Sequence, residues 1–137
     1  MKTLPILTLL LLAGCGGADG LGVGVAGRVS YDGQPVQEGS IAFIPADAAS
    51  GPSAGAVIYD GRYEIDAAHG PAPGPHRVEI IAQRKTGRQI RDAFQPGPDN
   101  LVDEIEQFLP VKYNRQSDLT VTLEPGSNEG VDFHLDP

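Results

Sequence analysis

Apolar and polar residues alternate from residue 23 onward: Val23, Val25, Val29 and Tyr31 fall at every second position with Gly27 in the same phase, while Arg28 and Ser30 point the other way. A period of two is that of a strand with one buried face. Asp32, Gly33, Gln34 and Pro35 interrupt it with turn residues, and the alternation resumes over 39–45 through Ile41 and Phe43, so the pattern predicts a hairpin. Further on, 55–59 and 62–66 flank Asp60-Gly61. Asp-Gly between two such runs is a strong hairpin signal, because a type I′ turn takes positive φ at both central residues. Pairing outward from it sets Tyr59 against Arg62, Ile58 against Tyr63 and Ala56 against Ile65. Val78, Ile80 and Ala82 alternate in the next run, Leu119, Val121 and Leu123 in another, and Val131, Phe133 and Leu135 in the last, whose outward positions are Asp132, His134 and Asp136. Seven such runs separated by Gly, Pro and Asp turns predict an all-β fold, a sandwich whose core is built from the in-phase residues.

The segment 84–109 breaks this pattern and reads as a long charged loop. Arg84, Lys85, Arg88 and Arg91 form a basic limb, Gln95-Pro96-Gly97-Pro98 a turn, and Asp99, Asp103, Glu104 and Glu106 an acidic limb. Loops of this length are usually functional or disordered. It is therefore a solvated excursion or a recognition loop, in which Arg84, Lys85, Arg88 and Arg91 attract an anionic partner while Asp103 and Glu104 tune specificity. Leu101, Val102, Ile105 and Phe108 pack part of it down, either as a short helix capped by Asn100 or as an extended edge.

Ahead of the alternating region, Met1-Lys2-Thr3 gives a positive start and 4–12 is an apolar run broken only by Pro5 and Thr8. It is shorter than the roughly 20 residues a membrane-spanning helix needs and fits a secretory signal. Leu12-Ala13-Gly14-Cys15 resembles the bacterial lipobox. That resemblance implies a signal peptide over 1–14, cleavage before Cys15 and acylation of the cysteine, which is the chain's only one. No internal disulfide is then available. The Gly- and Ala-rich stretch 15–22 reads as a tether, and 23–137 as the folded domain. Gly16, standing where Asp would favour inner-membrane retention, leans the resemblance toward the outer membrane. The expectation is an exported lipoprotein held on a membrane through Cys15, at the periplasmic side of the outer membrane or at the cell surface.

With 18 Gly, 12 Pro and no Trp among 137 residues, the chain is turn-rich, and its core must come mostly from Val, Ile and Leu. A net charge of −8 argues against nucleic acid as a partner, because phosphate recognition needs a basic face. Catalytic chemistry is sparse. There is no Gly-x-Ser-x-Gly elbow, and His69, His76 and His134 are scattered. Asp132, His134 and Asp136 share a strand face and offer two or three metal ligands, short of the four a zinc site usually takes. Asp99, Asn100, Asp103, Glu104 and Glu106 are oxygen-rich but lack EF-hand spacing. No catalytic residue, metal or cofactor is expected. Tyr113-Asn114 after Pro110 reads as a structural corner, with a buried ring, a satisfied hydroxyl and an Asn suited to a left-handed turn.

Several pieces in order, namely Val25-Ala26-Gly27-Arg28-Val29-Ser30-Tyr31-Asp32-Gly33-Gln34-Pro35-Val36, 39–45, Asp60-Gly61-Arg62-Tyr63, 73–78, Leu109-Pro110-Val111-Lys112-Tyr113-Asn114, 117–121 and 132–135, carry a resemblance. The chain resembles the small secreted lipoproteins of planctomycetes with a carboxypeptidase-regulatory-like or transthyretin-like domain. The resemblance implies a seven-stranded, prealbumin-like (transthyretin/Ig-like) β-sandwich and no particular reaction. The expected function is a non-catalytic cell-envelope module with a structural role or a role in contact with an envelope protein or polysaccharide. The alternative is a transthyretin-related hydrolase or a small-ligand binder. Hydroxyisourate hydrolases of that fold end in Tyr-Arg-Gly-Ser, whereas this chain ends His134-Leu135-Asp136-Pro137.

Overall fold

The computed structural model describes residues 22–137, so the expected signal segment 1–14, the expected lipidation at Cys15 and most of the expected tether 15–22 lie outside the described residues. The strands are β1 (Gly24–Tyr31), β2 (Gln34–Pro35), β3 (Glu38–Pro45), β4 (Ala54–Tyr59), β5 (Arg62–Ile65), β6 (Gly74–Arg91), β7 (Leu101–Gln107), β8 (Thr120–Leu123), β9 (Ser127–Asn128) and β10 (Phe133–Leu135). Single 3-10 turns occur at Ala48–Ser50 and Val111–Tyr113. The fold is all-β. Its ten strands join one hydrogen-bonded network in the order β10-β1-β5-β4-β3-β6-β7, with β2 and β9 also on β1 and β8 on β6. The seven alternating runs became β1, β3, β4, β5, β6, β8 and β10; β2, β7 and β9 are additional.

Both Asp-Gly turns form as their chemistry demands, with φ of 51° and 76° at Asp32 and Gly33 and 50° and 75° at Asp60 and Gly61. What they join differs from expectation. Asp32-Gly33 returns β1 only onto the two residues of β2, pairing Tyr31 with Gln34 and Ser30 with Pro35. One further ladder bond forms beyond Pro35, from the Val36 amide to the Val29 carbonyl at 3.0 Å, but the Val29 amide turns to the Gly61 carbonyl at 2.9 Å, so the pairing ends there and β3 leaves to lie between β4 and β6. The predicted hairpin between 23–31 and 39–45 is thus replaced by pairing of β1 with β5, Val25 to Ile65 through Arg28 to Arg62. At Asp60-Gly61 only Tyr59 and Arg62 pair before the strands part, so the Ile58/Tyr63 and Ala56/Ile65 rungs do not form. The amides of Asp60 and Gly61 instead donate to the carbonyls of Gln37 and Val36, at 2.9 and 2.7 Å, and knit the two turns together.

The in-phase residues share one core, including Val25, Val29, Ile41, Phe43, Ile58, Tyr63, Val78, Ile80, Leu123, Phe133 and Leu135, with Tyr31, Leu119, Val121 and Val131 packed at its margin. The sheet curls to bury them. The rings of Tyr31 on β1 and Phe108 just after β7 lie 5.6 Å apart, edge to face. Five steps separate these strands in the network. A flat sheet would hold them about 24 Å apart at about 4.8 Å per step. Gly27 makes a second close approach possible. A Cβ there would lie 1.9 Å from the Val131 carbonyl oxygen, which accepts from the Tyr63 hydroxyl at 2.6 Å.

Pairing directions give the molecule two ends. The chain comes in where Val23 and Gly24 donate to the carbonyls of Pro71 and Gly126. Both Asp-Gly turns lie at the other end. There β3 begins at Glu38, opposite Gln83 of β6. Beyond Gln83, β6 runs on to Arg91 with only β7 beside it. The segment 84–109 is therefore not a loop but mainly a two-stranded ribbon with a tip at 92–100. At about 3.3 Å per residue the ribbon reaches about 26 Å past the sheet.

Candidate functional site

The ribbon folds because its two limbs complement each other in charge. Arg84 Nε lies 2.8 Å from Glu106 Oε1, Lys85 Nζ 2.8 Å from Asp103 Oδ2, and an Arg88 terminal nitrogen 2.5 Å from Glu104 Oε1. The Thr86 hydroxyl donates to the other oxygen of Glu104 at 2.8 Å. The register shifts between Lys85 and Gln89, a bulge accommodated by Gly87 at φ 88°. Hydrogen bonding to Lys85 holds the Asp103 carboxyl below its ordinary range, and Arg88 then Thr86 do the same for Glu104. In return Lys85 and Arg88 are raised. Asn100 caps no helix; its side chain donates to the Gln95 carbonyl in the tip.

Five of the six charges assigned to a recognition loop, those of Arg84, Lys85, Arg88, Asp103 and Glu104, therefore neutralise partners within the ribbon. Arg91, opposite Leu101, has no carboxylate within ion-pairing distance among the described residues. The basic limb does not present the excess positive charge that its sequence suggested. What the ribbon does present is apolar: Ile90 and Val102 form an exposed cross-strand pair, Leu101 and Ile105 are exposed, and Phe94 at the tip is 95% exposed.

Tyr113 and Asn114 are both buried. The Tyr113 hydroxyl donates to the Asp136 carbonyl and accepts from the Asp136 amide, both at 2.8 Å. Asn114 bonds Pro110 O and Arg115 N through its side chain, and its φ of −126° is not the left-handed conformation expected of it. Beside it the Ser117 hydroxyl donates to the Val78 carbonyl.

The three histidines stay apart. His69 is exposed against Asp66 at 2.8 Å, and that hydrogen bond holds the Asp66 carboxyl below its usual range. His76 is 1% exposed; Nδ1 donates to the Gly74 carbonyl at 3.0 Å and Nε2 has no partner among the described residues. His134 Nδ1 lies 2.9 Å from the Ser30 hydroxyl. Asp132, on the same run as His134 and Asp136, accepts the Arg28 amide at 2.8 Å. Among the described residues no group of three His, Cys, Asp or Glu side chains converges to hold a metal ion. Nor is any helix among them long and apolar enough to cross a membrane.

One constellation was not foreseen. Arg28 and Arg62 stand directly opposite each other on β1 and β5, and Ser30 stands opposite His134 on β1 and β10. They line a cleft of about 510 Å³ with Pro35, Gly61 and Asp60. Arg28 and Ser30 were visible as outward positions of one run. Their meeting with Arg62 and His134 follows only from the true partners of β1. Burial, then the nearby Asp132 charge, pushes the Tyr63 hydroxyl well above the ordinary tyrosine range under the same strands. No protein-family model, curated protein or solved structure matches the chain.

Proposed function

We propose that the chain is a non-catalytic cell-envelope lipoprotein, a β-sandwich held at a membrane through lipid on Cys15 and the 15–22 tether, which uses its ribbon to contact an envelope protein or polysaccharide. The observation that carries this reading is polarity: the chain comes in at one end of the sheet and the ribbon leaves from the opposite end. An anchor at residue 15 then aims the ribbon away from the bilayer. The parting of β4 from β5 after one rung and the Tyr31–Phe108 contact support two facing layers. Gly16 favours the outer membrane. A non-catalytic role draws support from His76, which is sealed in the core, and from His69 and His134, each occupied with its own separate partner.

The test is a pull-down from envelope extract with intact chain and with a chain whose 86–104 is replaced by an Asn-Gly turn, at low and high salt. Because the ribbon's charges other than Arg91 are mostly paired internally and its exposed cross-strand residues include Ile90, Leu101, Val102 and Ile105, capture should depend on the ribbon and change little with salt. Identical partner lists from the two chains would refute the ribbon. Intact mass of membrane-extracted protein tests the anchor, and an unmodified Cys15 would refute it.

A further inference from the structure

We infer that the cleft between β1, β5 and β10 is a binding site for an acidic saccharide, a ring carrying one carboxylate among hydroxyls. The inference is independent of the ribbon and of the anchor. Like charges directly opposite on neighbouring strands destabilise a sheet, yet Arg28 and Arg62 occupy such a pair. No carboxylate among the described residues lies within ion-pairing distance of either guanidinium, although the chain carries an excess of acid and has paired Arg77, Arg84, Lys85 and Arg88. Two free forks side by side are a receptor for an oxyanion, because guanidinium geometry matches a carboxylate bidentately.

The surroundings choose among anions. Asp60 lines the same cleft, and Glu64, Glu129 and Asp132 line the adjoining one with the two arginines. These carboxylates repel a densely charged ligand such as an acidic peptide run or a polyphosphate. The same groups accept hydrogen bonds from hydroxyls. Ser30 and His134, paired at 2.9 Å in the lining, add groups that both donate and accept. Tyr59 lies outside the cleft's lining but pairs with Arg62 across the Asp60-Gly61 turn, on the same face of the sheet, and with 71% of its surface exposed it offers an apolar ring at the margin for a sugar face. One isolated charge, several hydroxyls and one apolar face describe a uronic acid.

The assay is calorimetric titration of the full chain in detergent with methyl galacturonoside, alongside the neutral methyl galactoside, inorganic sulfate and a tri-glutamate peptide. Methyl galacturonoside should bind, the neutral sugar and the peptide at least tenfold more weakly, and Arg28→Gln or Arg62→Gln should each cost about tenfold, as for loss of one charge-assisted hydrogen bond. Arg88→Gln on the ribbon should change nothing. Relief of like-charge repulsion predicts that Arg62→Gln melts no lower than the parent, which separates lost binding from lost folding. Equal affinity in the arginine variants, no binding of methyl galacturonoside, or sulfate or peptide binding as tightly as the saccharide would each overturn the assignment.

Discussion

Truncating Phe133 tests the placement of the last strand. β10 has three residues and pairs in parallel with β1, Val29 to Phe133 through Tyr31 to Leu135, which buries Phe133 and Leu135 and leaves His134 outside. Phe133 is 9% exposed, so nearly all of its ring is out of water. Burying a phenylalanine removes on the order of 150–200 Å² of surface, worth about 4–5 kcal/mol at about 25 cal/mol per Å². With partial collapse of the site, Phe133→Ala should cost about 3–5 kcal/mol. At about 4 °C per kcal/mol for a domain of this size, the melting point should fall by about 12–20 °C. The assay is urea and thermal unfolding followed by circular dichroism, with His134→Ala on the next residue as the comparison. That exposed side chain should cost no more than about 0.5 kcal/mol. A loss below about 1 kcal/mol for Phe133→Ala with a larger one for His134→Ala would refute the register, because a slip of one residue exchanges the two faces.

Tyr113→Phe keeps the ring but removes both hydrogen bonds to Asp136; about 1–3 kcal/mol should be lost, with faster amide exchange at Asp136, and unchanged exchange would contradict the clamp. Gly27→Ala drives a Cβ into the Val131 carbonyl and should cost about 1–3 kcal/mol by overpacking, read as a lower urea midpoint. Acid should loosen the ribbon before the core. Asp103 and Glu104 have depressed folded values, so their contribution is present above their ordinary pKa and is lost as pH falls through the folded one, below about pH 4. Lys85 is raised, so its contribution is lost only as pH rises past its ordinary 10.5. Amide protection across Leu101–Gln107 should fall with acid while that of Ile41 and Ile80 persists; simultaneous loss would remove the ion pairs from the account.

Alternation located the strands of the curled sheet because each buries one face, and a buried face writes a period of two into the sequence. It could not give their partners. An Asp-Gly turn specifies the residues that flank it, Tyr59 with Arg62 and Tyr31 with Gln34, and nothing beyond. The ribbon escaped the same logic because both of its faces are wet: Arg84 and Thr86 occupy one and Lys85 the other, so no apolar period appears. Its legible signal was the mirrored order of basic and acidic residues, which is cross-strand pairing written as charge. The arginine cleft was illegible for the reason that misplaced β1, since Arg28 and Arg62 are neighbours only once β5 is its partner. Tyr113 was readable as a buried ring, but its hydrogen bonds to Asp136 join residues 23 apart and left no local trace.

The docking of β10 and β9 on β1 also has a temporal consequence. Arg28 meets Asp132, and Ser30 meets His134, across 104 residues of chain. Closing so large a loop is entropically slow and belongs to the class of topologies that fold late. During synthesis β1 has one of its edges bare until β9 and β10 have been made. The curl of the sheet therefore closes late, when 133–135 reach 29–31.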